Sequence, residues 1–152
     1  MGAAKQMKAL LQRVSRAKVS VEGKVVGEIE AGLLVFLGVD KADTPLIAEK
    51  LLQKVLSYRI FADDMGKMNL GLQATQASLL IISQFTLSAE TNKGLRPGFS
   101  LAAEPVKGEL LYNHFLNYAN HNHPKVAAGQ FGANMQVELI NDGPVTFLLE
   151  SK

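Results

Sequence analysis

One uninterrupted apolar stretch, GLLVFLGV from Gly32 to Val39, predicts a strand buried on both faces, because a half-exposed strand would alternate polar and apolar residues. Shorter β-branched runs surround it. Lys8 to Val14 and Arg16 to Val21 read as two strands, Glu22-Gly23 as a turn, and Val25 to Ile29 as a third strand. Thr44 followed by Pro45 is a capping hydroxyl with proline at the first helical position. Leu46, Ile47, Leu51, Leu52, Val55 and Leu56 then recur at helical spacing. A short strand is expected from Tyr58 to Ala62, then the polar loop DDMGKMN. SLLIISQFTL, Ser78 to Leu87, reads as the strongest strand in the chain, followed by the long loop SAETNKGLRPGF. A second helix is expected to begin near Pro105 and to turn Leu110, Leu111, Phe115 and Leu116 inward. Met135 to Asn141 and Val145 to Leu149 close the pattern as two strands. Short connections among most strands, with two helices inserted, predict an α+β fold with a largely antiparallel sheet.

The last pair of strands is joined oddly. Asp142-Gly143 between apolar runs is a strong hairpin turn signal. Pro144 removes the N–H that such a turn would donate from its fourth position. A chain that spoils a good turn in this way has selected the segment for something other than hairpin stability.

Composition narrows the classes. The 152 residues, 47% hydrophobic and 20% charged, are those of an ordinary globular domain, and no apolar run approaches the roughly 20 residues of a membrane span. Residues 7–152 are expected to form one domain. The lead MGAAKQ, residues 1–6, is too short and polar for a secretory signal and precedes a second possible start, Met7; it is either a native extension or a cloning remnant. Cysteine is absent, which excludes disulfides, thiolate ligands and thiol nucleophiles and fits a reducing, cytoplasmic setting. A net charge of +2, from sixteen basic and fourteen acidic residues, is too small to mark a dedicated nucleic-acid coat protein.

The familiar catalytic signatures, a phosphate-binding Walker loop, a dinucleotide glycine fingerprint, a Gly-x-Ser-x-Gly elbow and a His-Glu-x-x-His helix, are missing. His114, His121 and His123 gather near a helix end, but NHNHP is a polar stretch in which exposed loop histidines are the usual case, and no metal is expected. Asp63-Asp64 lacks the alternating carboxylates of a calcium loop and reads as a turn. In SQFTL, an amide and a hydroxyl, Gln84 and Thr86, share one face of the expected strand, with Ser83, Phe85 and Leu87 on the other. They form either a satisfied hydrogen-bonded pair at the strand end or one wall of a polar pocket. With no base nearby in sequence, Thr86 is a poor nucleophile.

LLQRVSRA, GKMN, SQFTL, KGLRPGFS and FGANMQVELINDGPVTFLLES occur in an order and spacing that resemble the D-aminoacyl-tRNA deacylase family, formerly D-tyrosyl-tRNA deacylases, from Met7 to Ser151. The Ser-Gln-x-Thr and Asn-x-Gly-Pro-Val-Thr motifs are both intact, and the pair is specific where either alone is not. The resemblance implies a barrel-like core, a homodimer, a D-aminoacyl-tRNA substrate bound by its acceptor end, and no cofactor. It implies that the Gly143-Pro144 bond is cis and that the motif, with Asn141, projects into the partner's site. A rigid main-chain wall there would reject L side chains while admitting D side chains and glycine. It implies a reaction centre on Ser83, Gln84, Phe85 and Thr86, in which backbone N–H groups near Phe85 and Thr86 stabilise an oxyanion. The proton transfer then falls to the ribose 2′-hydroxyl of the substrate. Phe131 and Met135 match a pocket-lining segment, and Arg13 matches a brace for the Gly-Pro turn. Lys8, Arg13, Arg16, Lys18, Lys93, Arg96 and Lys125 are candidate phosphate contacts. A non-catalytic dimeric module that binds tRNA ends is the alternative reading.

Overall fold

The structure, a computed structural model, describes residues 6–151. Residues 1–5 of the lead and Lys152 therefore lie outside the described residues. Eight strands and two helices follow in the order β1 (Lys8–Val21), β2 (Lys24–Ile29), β3 (Gly32–Gly38), α1 (Pro45–Ser57), β4 (Phe61–Ala62), β5 (Met68–Leu70), β6 (Ser78–Ser83), α2 (Pro105–Asn122), β7 (Val126–Ala128) and β8 (Gln136–Glu150).

β1 is one strand where two were expected. It runs through Ser15 because both its edges are occupied. Lys8–Val14 pairs antiparallel with β3 and Ala17–Val21 with β2, while β8 lies antiparallel along the other edge from Lys8 to Ser20. β3 pairs parallel with β6, and β6 with β7. Antiparallel pairs outnumber parallel ones, as expected, and the mixed sheet curls almost into a barrel. Gly27 of β2 shows how tightly it closes: a Cβ there would lie 2.4 Å from the Ala128 carbonyl oxygen of β7.

The continuous apolar run of β3 is explained by its neighbours. Leu33, Val35 and Leu37 face a core shared with Leu51, Leu52, Val55 and Leu56 of α1 and Leu111, Tyr112 and Phe115 of α2. Leu34 faces the opposite way, into the barrel interior with Val14, Val19, Leu80 and Ile82. Neither face of β3 meets water, so neither needs polar residues.

Thr44 caps α1 as expected, its hydroxyl accepting from the Ile47 N–H at 3.3 Å, and α2 begins at Pro105. One inward assignment fails: Leu110 is 62% exposed, off the stripe that meets the sheet, and Leu46, in the first turn of α1, is likewise 59% exposed. Tyr58–Ala62 shrinks to Phe61–Ala62, and β5 and β7 were not anticipated, being only three residues each. His123 is buried, its Nε2 2.8 Å from the Ala77 carbonyl, so it is not the exposed loop residue that its polar neighbours suggested.

Candidate functional site

The largest correction concerns INDGPVTFLLE. There is no hairpin: β8 stays antiparallel to β1 throughout, with Gln136–Ile140 facing Arg16–Ser20 and Thr146–Glu150 facing Lys8–Gln12. Between the pairs Gln12–Thr146 and Val14–Asn141 one residue of β1 faces four of β8, so β8 bulges by three residues at Asp142–Val145, while between Val14 and Arg16 β1 has one extra residue, Ser15. A bulge tolerates proline because its residues are excused from the ladder. The Gly143-Pro144 peptide is cis, and Gly143 has a φ of 132°, a conformation that L side chains rarely adopt. Arg13 lies opposite the bulge. Its Nε donates to the Asp142 carbonyl at 3.1 Å, and its Nη1 to the Ile60 carbonyl at 2.9 Å.

SQFTL also departs from the expected strand. β6 ends at Ser83, and Phe85–Ser88 winds into one 3-10 turn, so strict alternation stops at Gln84. The turn is fixed to β3 by the Gln84 N–H, which donates to the Leu37 carbonyl at 2.8 Å. Gln84 and Thr86 are nevertheless side by side: the Gln84 amide donates to Thr86 Oγ1. Among the described residues, the N–H groups of Phe85 and Thr86 have no backbone acceptor, whereas Leu87 and Ala89 bond back into the turn. The first N–H groups of a helical turn point out of it unsatisfied.

Next to this turn opens a cleft of about 630 Å³. Its floor is the end of β3 and β6, from Leu37 to Val39 and from Ile82 to Phe85. One wall is α2, with Glu104, Gly108 and Tyr112; the other includes Phe131 and Met135. Gly108 admits the ring of Phe131, whose Cζ would be 3.3 Å from a Cβ at that position. Tyr112 packs on Phe131 with ring centroids 5.8 Å apart and donates its hydroxyl to the Ile81 carbonyl at 2.8 Å. Burial pushes the Tyr112 phenol up to about 12. Phe85 and Phe99, centroids 5.2 Å apart, stand exposed at the rim.

Of the residues singled out in the sequence, Ser83, Gln84, Phe85, Phe131 and Met135 line the cleft. Thr86 adjoins it through Gln84. Arg13, Asn141, Gly143 and Pro144 do not line it in the same chain; they sit across β1, the bulge being three strand spacings from β6 and level with Leu33 and Leu79, four residues short of Leu37 and Ser83. That is roughly 14 Å across the sheet and roughly 13 Å along it. Lys8 is not a phosphate contact: it is buried and paired with Asp40 at 3.4 Å. Arg16 and Lys18 lie 3.6 and 4.0 Å from Glu138, and Lys125 donates to the Gln76 carbonyl at 3.0 Å. Lys93 and Arg96 are exposed on the loop before α2.

Several lining residues escaped the sequence reading, among them Phe99, Gly108, Tyr112 and Glu104. Tyr112 was indistinguishable from a core aromatic of α2. Glu104 precedes the proline that marks the helix start, and there the pattern signals a boundary and nothing of what the boundary residue faces. Asp63 holds a turn, as expected, accepting from the N–H groups of Met65 and Lys67 and from the Asn69 amide, which holds its carboxyl below the usual range. Among the described residues no group of three or more His, Cys, Asp or Glu side chains converges on a metal-sized site.

Fold and site together define a small α+β protein with one acyl-sized cleft beside a tight turn that offers unengaged N–H groups. The family model described as D-Tyr-tRNA(Tyr) deacylase matches residues 10–150, and this chain belongs to that family. It is 57% identical over 145 residues to D-aminoacyl-tRNA deacylases of Pseudomonas fluorescens (strain SBW25) and Stutzerimonas stutzeri (strain A1501), alignments that cover 95% of this chain and 100% of each relative. Among solved structures, it superposes on one titled "c-Myc DNA Unwinding Element Binding Protein" with a TM-score of 0.91 and 40% identity, covering 95% of this chain and 99% of that one. A structure titled as a probable eukaryotic D-amino acid tRNA deacylase shares the fold, with a TM-score of 0.83 at 17% identity, covering 95% of this chain and 98% of that one.

Proposed function

We infer that the chain is a hydrolase that cleaves the ester between a D-amino acid and the terminal ribose of tRNA, consuming water and releasing free D-amino acid and tRNA. The observation that supports this reading is the turn at the cleft: Phe85 lines the cleft, and among the described residues the Phe85 and Thr86 N–H groups are without backbone acceptors, so they are available to an ester oxygen as it becomes an oxyanion. Family membership over residues 10–150 supplies the substrate class.

Thr86 is not the nucleophile in this reading. Its Oγ1 already accepts a hydrogen bond from the Gln84 amide, which lowers its electron density, and no base accompanies it. Water attacks the carbonyl, and the vicinal ribose 2′-hydroxyl relays the proton to the departing 3′-oxygen. Gln84 and Thr86 shape the pocket, and Ser83 ends the strand that presents them. Selection by hand is assigned to Gly143 and Pro144, acting as main chain from a second copy of the chain in a homodimer, since in one chain they stand apart from the cleft. A backbone wall rejects the L side chain and ignores which D side chain points away, and glycyl esters, with no side chain, also enter. Residues 7–152 act as one deacylase domain, in the cytoplasm where aminoacyl-tRNA is made. Arg16, Lys93 and Arg96 are the proposed phosphate contacts. No helix among the described residues is long and apolar enough to cross a membrane.

The test is deacylation of D-tyrosyl-tRNA and L-tyrosyl-tRNA, with a 2′-deoxy-terminated D substrate as a third arm. Rapid loss of the D ester alone, slowed on the order of 100-fold without the 2′-hydroxyl, is expected. The 40%-identical structure named for DNA binding keeps a second reading open, a nucleic-acid-binding module without chemistry; tight binding with no loss of either ester would establish it instead.

A further inference from the structure

At the far end of the 85–88 turn lies a group of buried polar side chains that the reaction as described does not use: Asp40, Asp43, Ser88 and Lys8. Burying charge costs stability unless the charged atoms are partnered, and here the partners form a chain. The Asp43 carboxylate accepts from the N–H groups of Met7 at 2.9 Å and Asp40 at 2.7 Å, which fixes the backbone of Asp40. The Asp40 carboxylate meets Lys8 Nζ at 3.4 Å through Oδ2 and accepts from the Ser88 hydroxyl through Oδ1. Ser88 is the last residue of the turn that carries the oxyanion donors.

The turn is thereby pinned at both ends to one segment, Leu37 to Asp40. At its start the Gln84 N–H donates to the Leu37 carbonyl at 2.8 Å. At its end Ser88 reaches the Asp40 carboxylate, with the Val39 carbonyl a second acceptor at 3.3 Å. Between these anchors the turn lies directly on Gly38, where a Cβ would stand 2.8 Å from Leu87 Cβ and 3.4 Å from Ser88 Oγ. The same segment holds another part of the cleft: Asp40 bridges antiparallel to Ala102, and the Val39 carbonyl accepts from the Ala103 N–H at 3.0 Å. Ala102 and Ala103 both line the cleft. A turn that slipped away from Asp40 would leave a buried carboxylate oxygen without its donor, and the desolvation penalty of that oxygen opposes the slip.

We propose that Asp40 is a positioning residue for the hydrolysis, holding the Phe85 and Thr86 N–H groups in place through the Ser88 hydroxyl. This rests on the deacylase reading above and adds to it the device that keeps the oxyanion donors fixed. Neither Asp40 nor Ser88 lines the cleft, so neither is a contact of the substrate. Donors aimed in advance at a developing charge need not reorganise during the reaction, whereas donors on a turn freed at one end must. Because that charge develops only in the transition state, a loosened turn lowers kcat and leaves substrate binding in place.

The experiment measures kcat and KM on D-tyrosyl-tRNA for the full chain and for its Ser88→Ala, Asp40→Ala and doubly substituted forms, per folded molecule and well below each Tm. Ser88→Ala is expected to lower kcat about three- to tenfold, the effect of one ordinary hydrogen bond, with KM within about twofold of the parent. Asp40→Ala should fall as far, and the double variant no further, since both substitutions cut the same link. Lost stability alone changes the amount of folded enzyme and not its rate, so it does not reproduce this pattern. Should Asp40→Ala fail to fold with Lys8 left unpaired, Ser88→Ala decides alone by the same two constants. An unchanged kcat in Ser88→Ala would overturn the proposal, as would a raised KM at constant kcat, which would make the pair a shaper of the binding cleft. Losses that multiply in the double variant would overturn it too, because Asp40 would then act independently of Ser88. If the unmodified chain cleaves no D-tyrosyl ester, the deacylase reading itself has failed and this inference falls with it, an outcome distinct from a variant that matches an active parent.

Discussion

Gly143 shows how much a single missing side chain can decide. A Cβ there would lie 2.8 Å from Val145 Cγ2, 2.9 Å from the Val145 nitrogen and 3.3 Å from the Arg13 guanidinium, at a φ of 132°. Alanine must displace backbone, not a flexible side-chain end, so the bulge would shift out of its shape. Because the bulge is exposed and excused from the ladder, most of the fold should tolerate that shift. Gly143→Ala is expected to lower Tm by only a few degrees while abolishing D-ester cleavage in the deacylation assay. Tyr112 offers a stability test of a different kind. Its phenol, buried between α2 and the sheet, has its ordinary value of 10 raised to about 12, chiefly by burial, with a Gly129 N–H opposing. A raised folded-state value means that the stabilisation is complete below pH 10 and is lost as pH rises toward 12. Alkaline denaturation should therefore steepen in that window, by on the order of 2 kcal/mol, and Tyr112→Phe should remove the steepening when denaturant midpoints are followed from pH 9 to 12.

At the scale of elements, the sequence was legible wherever one residue's chemistry settled the matter locally. Thr44-Pro45 marked the start of α1 and Pro105 that of α2, and Glu22-Gly23, both with positive φ, made the turn from β1 to β2. It was not legible where pairing decided. Ser15 looks like a break, yet β1 continues through it because β8 pairs on both sides. SQFTL looks like strand until the Leu37 carbonyl takes the Gln84 N–H and the chain turns. The motif residues of the site were recognisable, but Glu104 and Tyr112 were not, since which way a helix faces a cleft is set by packing partners remote in sequence. Barrel closure is likewise a pairing effect, resting on contact between β2 and β7 at Gly27. A methyl there would stand 2.4 Å from the Ala128 carbonyl oxygen and 3.3 Å from a Leu80 methyl, both held in place by the sheet. Gly27→Ala is expected to cost about 1–3 kcal/mol in urea unfolding with little change in KM for surviving folded enzyme, because neither Gly27 nor its neighbours Ala128 and Leu80 line the cleft.

For the molecule as a whole, the separation of the cleft from the Gly143-Pro144 bulge is the fact that most needs an explanation. If both act on one substrate, a single chain cannot supply both, and a two-fold dimer supplies each site with a cleft from one copy and a bulge from the other. β8 has one edge on β1 and presents Ile140, 47% exposed, and Leu148, 51% exposed, beside the bulge, as a face that a second copy would cover. Mixing two inactive variants tests this more sharply than measuring mass. Gln84→Ala disables the cleft and leaves the bulge; Gly143→Ala disables the bulge and leaves the cleft. In a randomly re-associated equimolar mixture about half of the dimers are mixed, and each mixed dimer carries one site assembled from two intact parts and one from two damaged parts. Activity should therefore return to about a quarter of that of the unmodified protein after co-refolding, from near zero for either variant alone. If cleft and bulge served the same chain's site, every site in the mixture would hold one damaged part, and no activity would return however thoroughly the subunits exchanged.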